Sequence, residues 1–138
     1  MIHEYKQRVY YADTDSYGVV WHGSYLRWME AARCEFCRAI GVDLVELAKN
    51  DVSIPVTNIN IKYKSSAKTD DLISVQTELI KLTPLYARFS QTIKNAETGV
   101  AYTSAEVDVV TVNNEGKLYR RMPEYLFDKL KGTLECKD

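Results

Sequence analysis

The chain has 138 residues, 46% hydrophobic and 27% charged, with a formal net charge of -1. That length suits a single domain, residues 1–138, whose core needs neither metal nor disulfide, and the composition excludes an extended disordered chain. A charge this close to zero excludes a global positive field for nucleic acid or anionic membrane, and no apolar run approaches the ~18 residues of a membrane span.

The first residues, MIHEYKQRVYY, carry charges where a secretory signal needs an apolar centre. Cys34, Cys37 and Cys136 are odd in number and fit free thiols in a reducing compartment, so a cytoplasmic location is expected. Tyr5, Gln7 and Val9 alternate with Lys6, Arg8 and Tyr10, a period of two that predicts a short first strand. It leads into Asp13, Asp15, Ser16 and Gly18, which suit a turn because short polar side chains bond nearby backbone and glycine takes positive φ.

From Tyr25 the apolar residues Trp28, Met29, Ala32, Phe36 and Ala39 recur at steps of three and four. The spacing predicts an amphipathic helix over about residues 24–40, stopped by Gly41. One or two further helical turns follow around residues 43–47. Alternation then predicts half-buried strands around Ile59-Ile61-Tyr63, Ile73-Val75-Thr77-Leu79, Leu85-Ala87-Phe89 and Val107-Val109-Thr111. Residues 95–99 and 113–116 have turn chemistry, and a closing helix is expected over residues 123–130 with Pro123 near its start. Short connections make successive strands antiparallel, so the fold class is α+β, one long helix on an antiparallel sheet.

The chemistry concentrates in residues 10–41. A helix N-terminus offers free N–H donors and a positive dipole end to a developing oxyanion, and Asp15 lies just before one. A carboxylate there attacks a carbonyl itself or takes a proton from water. The alternative for Asp13 and Asp15 is that both cap turns. No calcium-loop spacing follows the DxD, so no metal and no cofactor are expected. His22 reads as a base, a hydrogen-bond partner or a loop residue. Cys34 and Cys37 form a CxxC on one helix without a second pair, which reads as packing. Tyr5, Tyr63 and Tyr102 fall into strand patterns and need nothing beyond half-burial with a wet hydroxyl.

The string YADTDSYGVVWHGSY (residues 11–25), followed by Trp28, Glu30, Ala31 and Arg33, resembles the signature of the 4-hydroxybenzoyl-CoA thioesterase family, especially its YbgC-type acyl-CoA thioesterases. Residues 59–63 and 67–71 continue the resemblance at lower specificity. It implies a hotdog fold, an antiparallel sheet wrapped around one long central helix. It also implies hydrolysis of a short-chain or aromatic acyl-CoA to free acid and CoA. By the same resemblance Asp15 matches the catalytic carboxylate, as nucleophile or general base, and His22 supplies a backbone N–H to the thioester oxygen. Gly18 and Val19 match the turn lining the acyl site. Tyr17, Trp21 and Tyr25, each apolar with at most one polar handle, suit an aromatic or a short aliphatic pocket equally and are read as further substrate contacts. The basic run that family members often carry near residues 80–88 is largely missing, which leaves Lys64, Lys81 and Arg88 as candidate CoA contacts, with the Arg120-Arg121 pair beyond them. A homodimer or homotetramer with sites shared between subunits is implied as well.

Three readings compete with this. One is a non-catalytic hotdog module that binds an acyl thioester, and another is a thioesterase acting on acyl carrier protein. The third is a helix-and-curved-sheet pocket of the ketosteroid-isomerase kind, in which the acid sits on the sheet. A hotdog dehydratase fits less well, because His3 and His22 are the only histidines.

Overall fold

The computed structural model describes residues 1–135, so Cys136 lies outside the described residues. Strand β1 (Ile2–Arg8) leads through a one-turn 3-10 helix (Tyr11–Asp13) to the long helix α1 (His22–Ala39) and the short α2 (Leu44–Lys49). Strands β2 (Val56–Tyr63), β3 (Leu72–Leu82), β4 (Tyr86–Asn95) and β5 (Ala101–Val110) follow, and α3 (Glu124–Glu135) closes the described chain. Every pairing in the five-stranded sheet is antiparallel, in the order β1-β3-β4-β5-β2.

Helix α1 buries Tyr25, Trp28, Met29, Ala32 and Phe36 of the stripe that the three-and-four spacing predicts, buries Cys37 as well, and leaves Ala39 exposed. Against it the sheet sets Ile73, Val75, Phe89, Ile93 and Val107. Phe36 meets Phe89 edge to face, with ring centroids 5.4 Å apart. The helix ends where Gly41 takes φ +82°, Gly41 N–H bonds Arg38 O and Val42 N–H bonds Cys37 O at 2.8 Å, so the last carbonyls are satisfied. A long helix packed across one face of an antiparallel sheet is the expected hotdog arrangement.

Two expectations change. The hairpin logic holds for β3, β4 and β5, but β2 pairs with β5 rather than with β3. Residues 64–71 therefore cross from one edge of the sheet to the other. This crossing is pinned at its start by Lys64 N–H to Tyr102 O at 2.7 Å, and at its end by Asp70 N–H to Val9 O and Val9 N–H to Asp71 O, each 2.9 Å. The second change concerns β2, expected to be half-buried: of its eight residues only Ile61 is not exposed. Its apolar side chains face space that one chain does not fill.

Candidate active site

The helix α1 starts two residues earlier than its apolar stripe indicates, at His22, with Trp21 in extended conformation before it and no side chain capping it. Its first turn carries no acid, and neither the His22 nor the Gly23 amide finds an acceptor among the described residues. A helix start left open in this way presents N–H donors and the positive dipole end outward.

The DTD segment is held against that start. Trp21 N–H donates to Asp13 O at 2.8 Å, and Ser24 Oγ donates to the same oxygen at 2.9 Å. Residues 14–20 form a tight loop closed by a bridge between Thr14 and Val20, by Asp15 N–H to Val19 O at 2.9 Å and by Gly18 N–H to Asp15 O at 3.0 Å. Gly18 has φ +78°, which the loop needs and glycine supplies without strain. Asp15 stands two residues from Asp13, so its backbone lies within about 7 Å of the residue whose carbonyl bonds Trp21 before the helix. Its Oδ1 accepts from Tyr17 N–H at 2.9 Å, and no hydrogen bond among the described residues occupies Oδ2.

Asp13 is the buried acid of the pair. Its Oδ2 accepts from Tyr10 N–H at 2.8 Å and its Oδ1 from Arg27. Both oxygens are spent on holding the loop to the helix. That places Asp13 in a structural ion pair, a firmer role than capping a turn.

Across the helix start runs the crossing segment. Val20 N–H bonds Ala67 O at 3.0 Å, and Ala67 N–H donates to the buried Tyr25 hydroxyl at 2.9 Å. Burial pushes the Tyr25 phenol above its ordinary range, so it stays protonated. Tyr63, at the end of β2, donates its hydroxyl to His22 O at 2.9 Å, and its ring stands edge-on to the His22 imidazole. The indole of Trp21 lies tilted against that imidazole, with ring centroids 5.1 Å apart, and covers Gly23 so closely that a Cβ there would clash with the indole ring.

These contacts enclose a cavity of about 280 Å³ lined by Val20, His22, Tyr25, Tyr63, Lys64, Ser65 and Ser66. Of the residues expected at the site, the fold brings His22, Tyr25 and Lys64 together in it. Tyr17 and Gly18 stand at the exposed tip of the neighbouring loop, with Val19 half-buried and Trp21 half-exposed beside them. Lys81 and Arg88 are not brought there. They are paired neighbours near the end of the sheet opposite Leu72, about 30 Å along β3. Arg88 is bound to both oxygens of Asp108 at 2.7 and 3.1 Å, and Lys81 sits 5.5 Å over the Tyr86 ring. Arg120 and Arg121 are exposed in the segment before Met122, whose amide bonds Pro84 O at that same end.

Tyr63, Ser65 and Ser66 were not expected at the site. Tyr63 reads as one more alternating strand residue, and nothing local reveals that its strand ends against a helix start forty residues earlier in the chain. Tyr102 differs in the same sense. It is buried, its hydroxyl donates to Asp71 Oδ2 at 2.9 Å, and it accepts from Asn95 Nδ2 at 3.0 Å.

A carboxylate beside an open helix start, on a helix-and-sheet scaffold, defines a class of protein that handles a polarised carbonyl. The chain belongs to the thioesterase-like superfamily, whose family model matches residues 9–130. It is 35% identical over 124 residues to the acyl-CoA thioester hydrolase YbgC of Escherichia coli O6:H1, a match covering 90% of this chain and 92% of that one. Among solved structures, a probable thioesterase from Bartonella henselae superimposes with a TM-score of 0.83 at 31% identity, over 89% of this chain and all of that one. A DHNA-CoA thioesterase from Staphylococcus aureus gives 0.84 at 28% identity, over 97% and 89%. The fold is thus the hotdog fold.

Proposed function

We propose that the protein hydrolyses an acyl-CoA thioester to the free acid and CoA. The observation that carries this reading is the uncapped start of α1 with the Asp15 loop tied to it through Asp13 O. The thioester oxygen takes the His22 N–H, where donors and dipole stabilise the negative charge that forms on attack. Asp15 acts through its unoccupied oxygen. As general base it takes a proton from water as the water oxygen bonds to the carbonyl carbon. The tetrahedral intermediate then expels the CoA sulfur, which leaves with a proton as the thiol. As nucleophile it bonds to the carbonyl carbon directly and CoA leaves as the thiolate; water then cleaves the resulting anhydride, which frees the acid, restores the Asp15 carboxylate and releases the proton that the thiolate takes. Both routes need the same charged atom in the same place.

Tyr63 supports the oxyanion donor by fixing the His22 carbonyl and ring. Lys64 is the cation at this cavity and is read as the contact to the CoA portion, with Tyr25, Trp21, Val19, Gly18 and Tyr17 surrounding the acyl thioester. The strand β2 ends at this cavity and has one open side, so a second copy pairing there would border the site; the functional unit is read as a homodimer. Substituting Asp15→Asn keeps size and the Tyr17 hydrogen bond while removing the charge. Thiol release from a panel of acyl-CoA substrates should fall at least ~100- to 10,000-fold, with the melting temperature little changed. Full thiol release by the variant would sink the assignment. Tight acyl-CoA binding with no turnover in the natural sequence would favour the binding module instead.

A further inference from the structure

A second, larger cavity of about 500 Å³ runs along α1 on the side facing β5 and β2, and α3 closes its far end. Much of its wall is apolar, including Ile54, Val56, Phe89, Val109 and Leu126. Arg33 interrupts that wall. Its Nη1 donates to Oε1 of the fully buried Gln91 at 2.9 Å, and no carboxylate pairs with it among the described residues. The other cation on this wall, Arg27, is already committed to Asp13.

A guanidinium facing an apolar cavity, with no carboxylate in ion-pair contact and only the charge of Glu30 acting on it from the preceding helical turn, carries a desolvation cost that a planar, two-oxygen anion offsets well, because its fork matches a carboxylate. Burial lowers the Arg33 pKa, and the Glu30 charge opposes that lowering in part. Gln91 is itself anchored, donating Nε2 to Met29 O and to Thr77 Oγ1, both at 2.9 Å. One guanidinium nitrogen is thereby tied to an anchored side chain, at a level of α1 between Met29 and Arg33. We propose that Arg33 binds a carboxylate at the far end of the acyl chain, so that the preferred substrates are CoA thioesters of dicarboxylic acids.

The proposal rests on the hydrolase reading above, since the thioester end is placed at His22. From there to the Arg33 level is about 10–16 Å at ~1.5 Å per residue, which an extended chain of roughly ten carbons spans. That is longer than the short-chain or aromatic acyl group expected from sequence alone. Glu30 shares the wall one helical turn before Arg33 and is exposed. A shorter diacid would bring its carboxylate beside Glu30, like charge against like.

The test compares kcat/KM for decanedioyl-CoA and decanoyl-CoA, with hexanedioyl-CoA as the short diacid, in the natural sequence and in Arg33→Met and Arg33→Lys. Each preference is a ratio measured within one preparation, so it does not depend on the folded fraction. The natural sequence should prefer decanedioyl-CoA over decanoyl-CoA by about 10- to 100-fold, the value of a hydrogen-bonded charge pair. Arg33→Met should bring that ratio near one, Arg33→Lys should leave it intermediate, and hexanedioyl-CoA should gain nothing. Equal rates on the two ten-carbon substrates, or a preference that survives Arg33→Met, overturns the proposal while leaving the hydrolase reading intact. Loss of dimer in Arg33→Met with no preference in the natural sequence would assign Arg33 to a second copy's carboxylate and overturn it too. No release from any acyl-CoA would fail the hydrolase reading itself.

Discussion

Asp13 and Asp15 are separated by one threonine, yet one is buried between an amide and Arg27 while the other keeps an oxygen open beside the helix start. The difference has a measurable consequence. Asp13→Asn removes the charge of a buried carboxylate whose partner Arg27 is mostly exposed, and should cost about 1–3 kcal/mol of stability, while thiol release per folded molecule falls far less than in Asp15→Asn. Chemical denaturation of both variants, paired with the thiol assay, separates the roles; a dead but stable Asp13→Asn would reverse the assignment. Nothing in the DTD string ranks its two acids by burial, because the deciding partner, Arg27, lies fourteen positions later. Cys37 belongs to the same scale. Burial pushes its thiol from an ordinary 9.0 up to about 11, so the folded state holds the proton more tightly than the unfolded state does. Its contribution to stability is whole below pH 9 and is lost as pH rises through about 11. At pH 8, iodoacetamide should label Cys37 roughly 100-fold more slowly in the folded protein than in urea. Fast labelling of the folded chain at that pH would contradict the packing role.

At the scale of elements, the start of α1 is what makes the site, and it was the least legible boundary in the chain. The apolar stripe begins at Tyr25, and Trp21 before the helix is no capping residue, so the three-and-four rule finds the body of the helix and misses its open end. The strands β3, β4 and β5 follow their alternation closely, because each buries one face on α1. Buried Gln91, Thr77 and Asn95 fit that alternation as well as apolar residues do, and only three-dimensional partners explain them. Gly23 is the element's sensitive position. Alanine there gains about 1 kcal/mol in helix propensity but displaces the Trp21 indole, so stability should change little. The indole should move to a wetter setting, and kcat/KM should fall about tenfold as the His22 region loses its wall. Unchanged tryptophan emission together with unchanged kinetics would show that Trp21 does not position this helix start.

For the whole molecule, the two edges of the sheet are unlike. The edge strand β1 has seven residues and points Glu4, Lys6 and Arg8 outward, the charged surface that discourages pairing. The edge strand β2 has eight and exposes Val56, Ile59 and Tyr63. Lys64 N–H donates to Tyr102 O at 2.7 Å on β5, and backbone groups of a strand alternate in direction, so the N–H groups of Ile59, Ile61 and Tyr63 point to the open side. Pairing of two β2 strands would satisfy those groups and roof the groove along α1. Ile59→Pro removes one outward N–H and leaves the bonds to β5 intact, with an apolar side chain kept at the position. Light scattering at micromolar concentration should give twice the chain mass for the natural sequence and a shift toward the single chain for Ile59→Pro. Thiol release should fall in step with the loss of dimer, and the fold of the single chain, followed by circular dichroism, should persist. A natural sequence that is monomeric and fully active would remove the shared site, and an Ile59→Pro variant that stays dimeric would move the interface off β2.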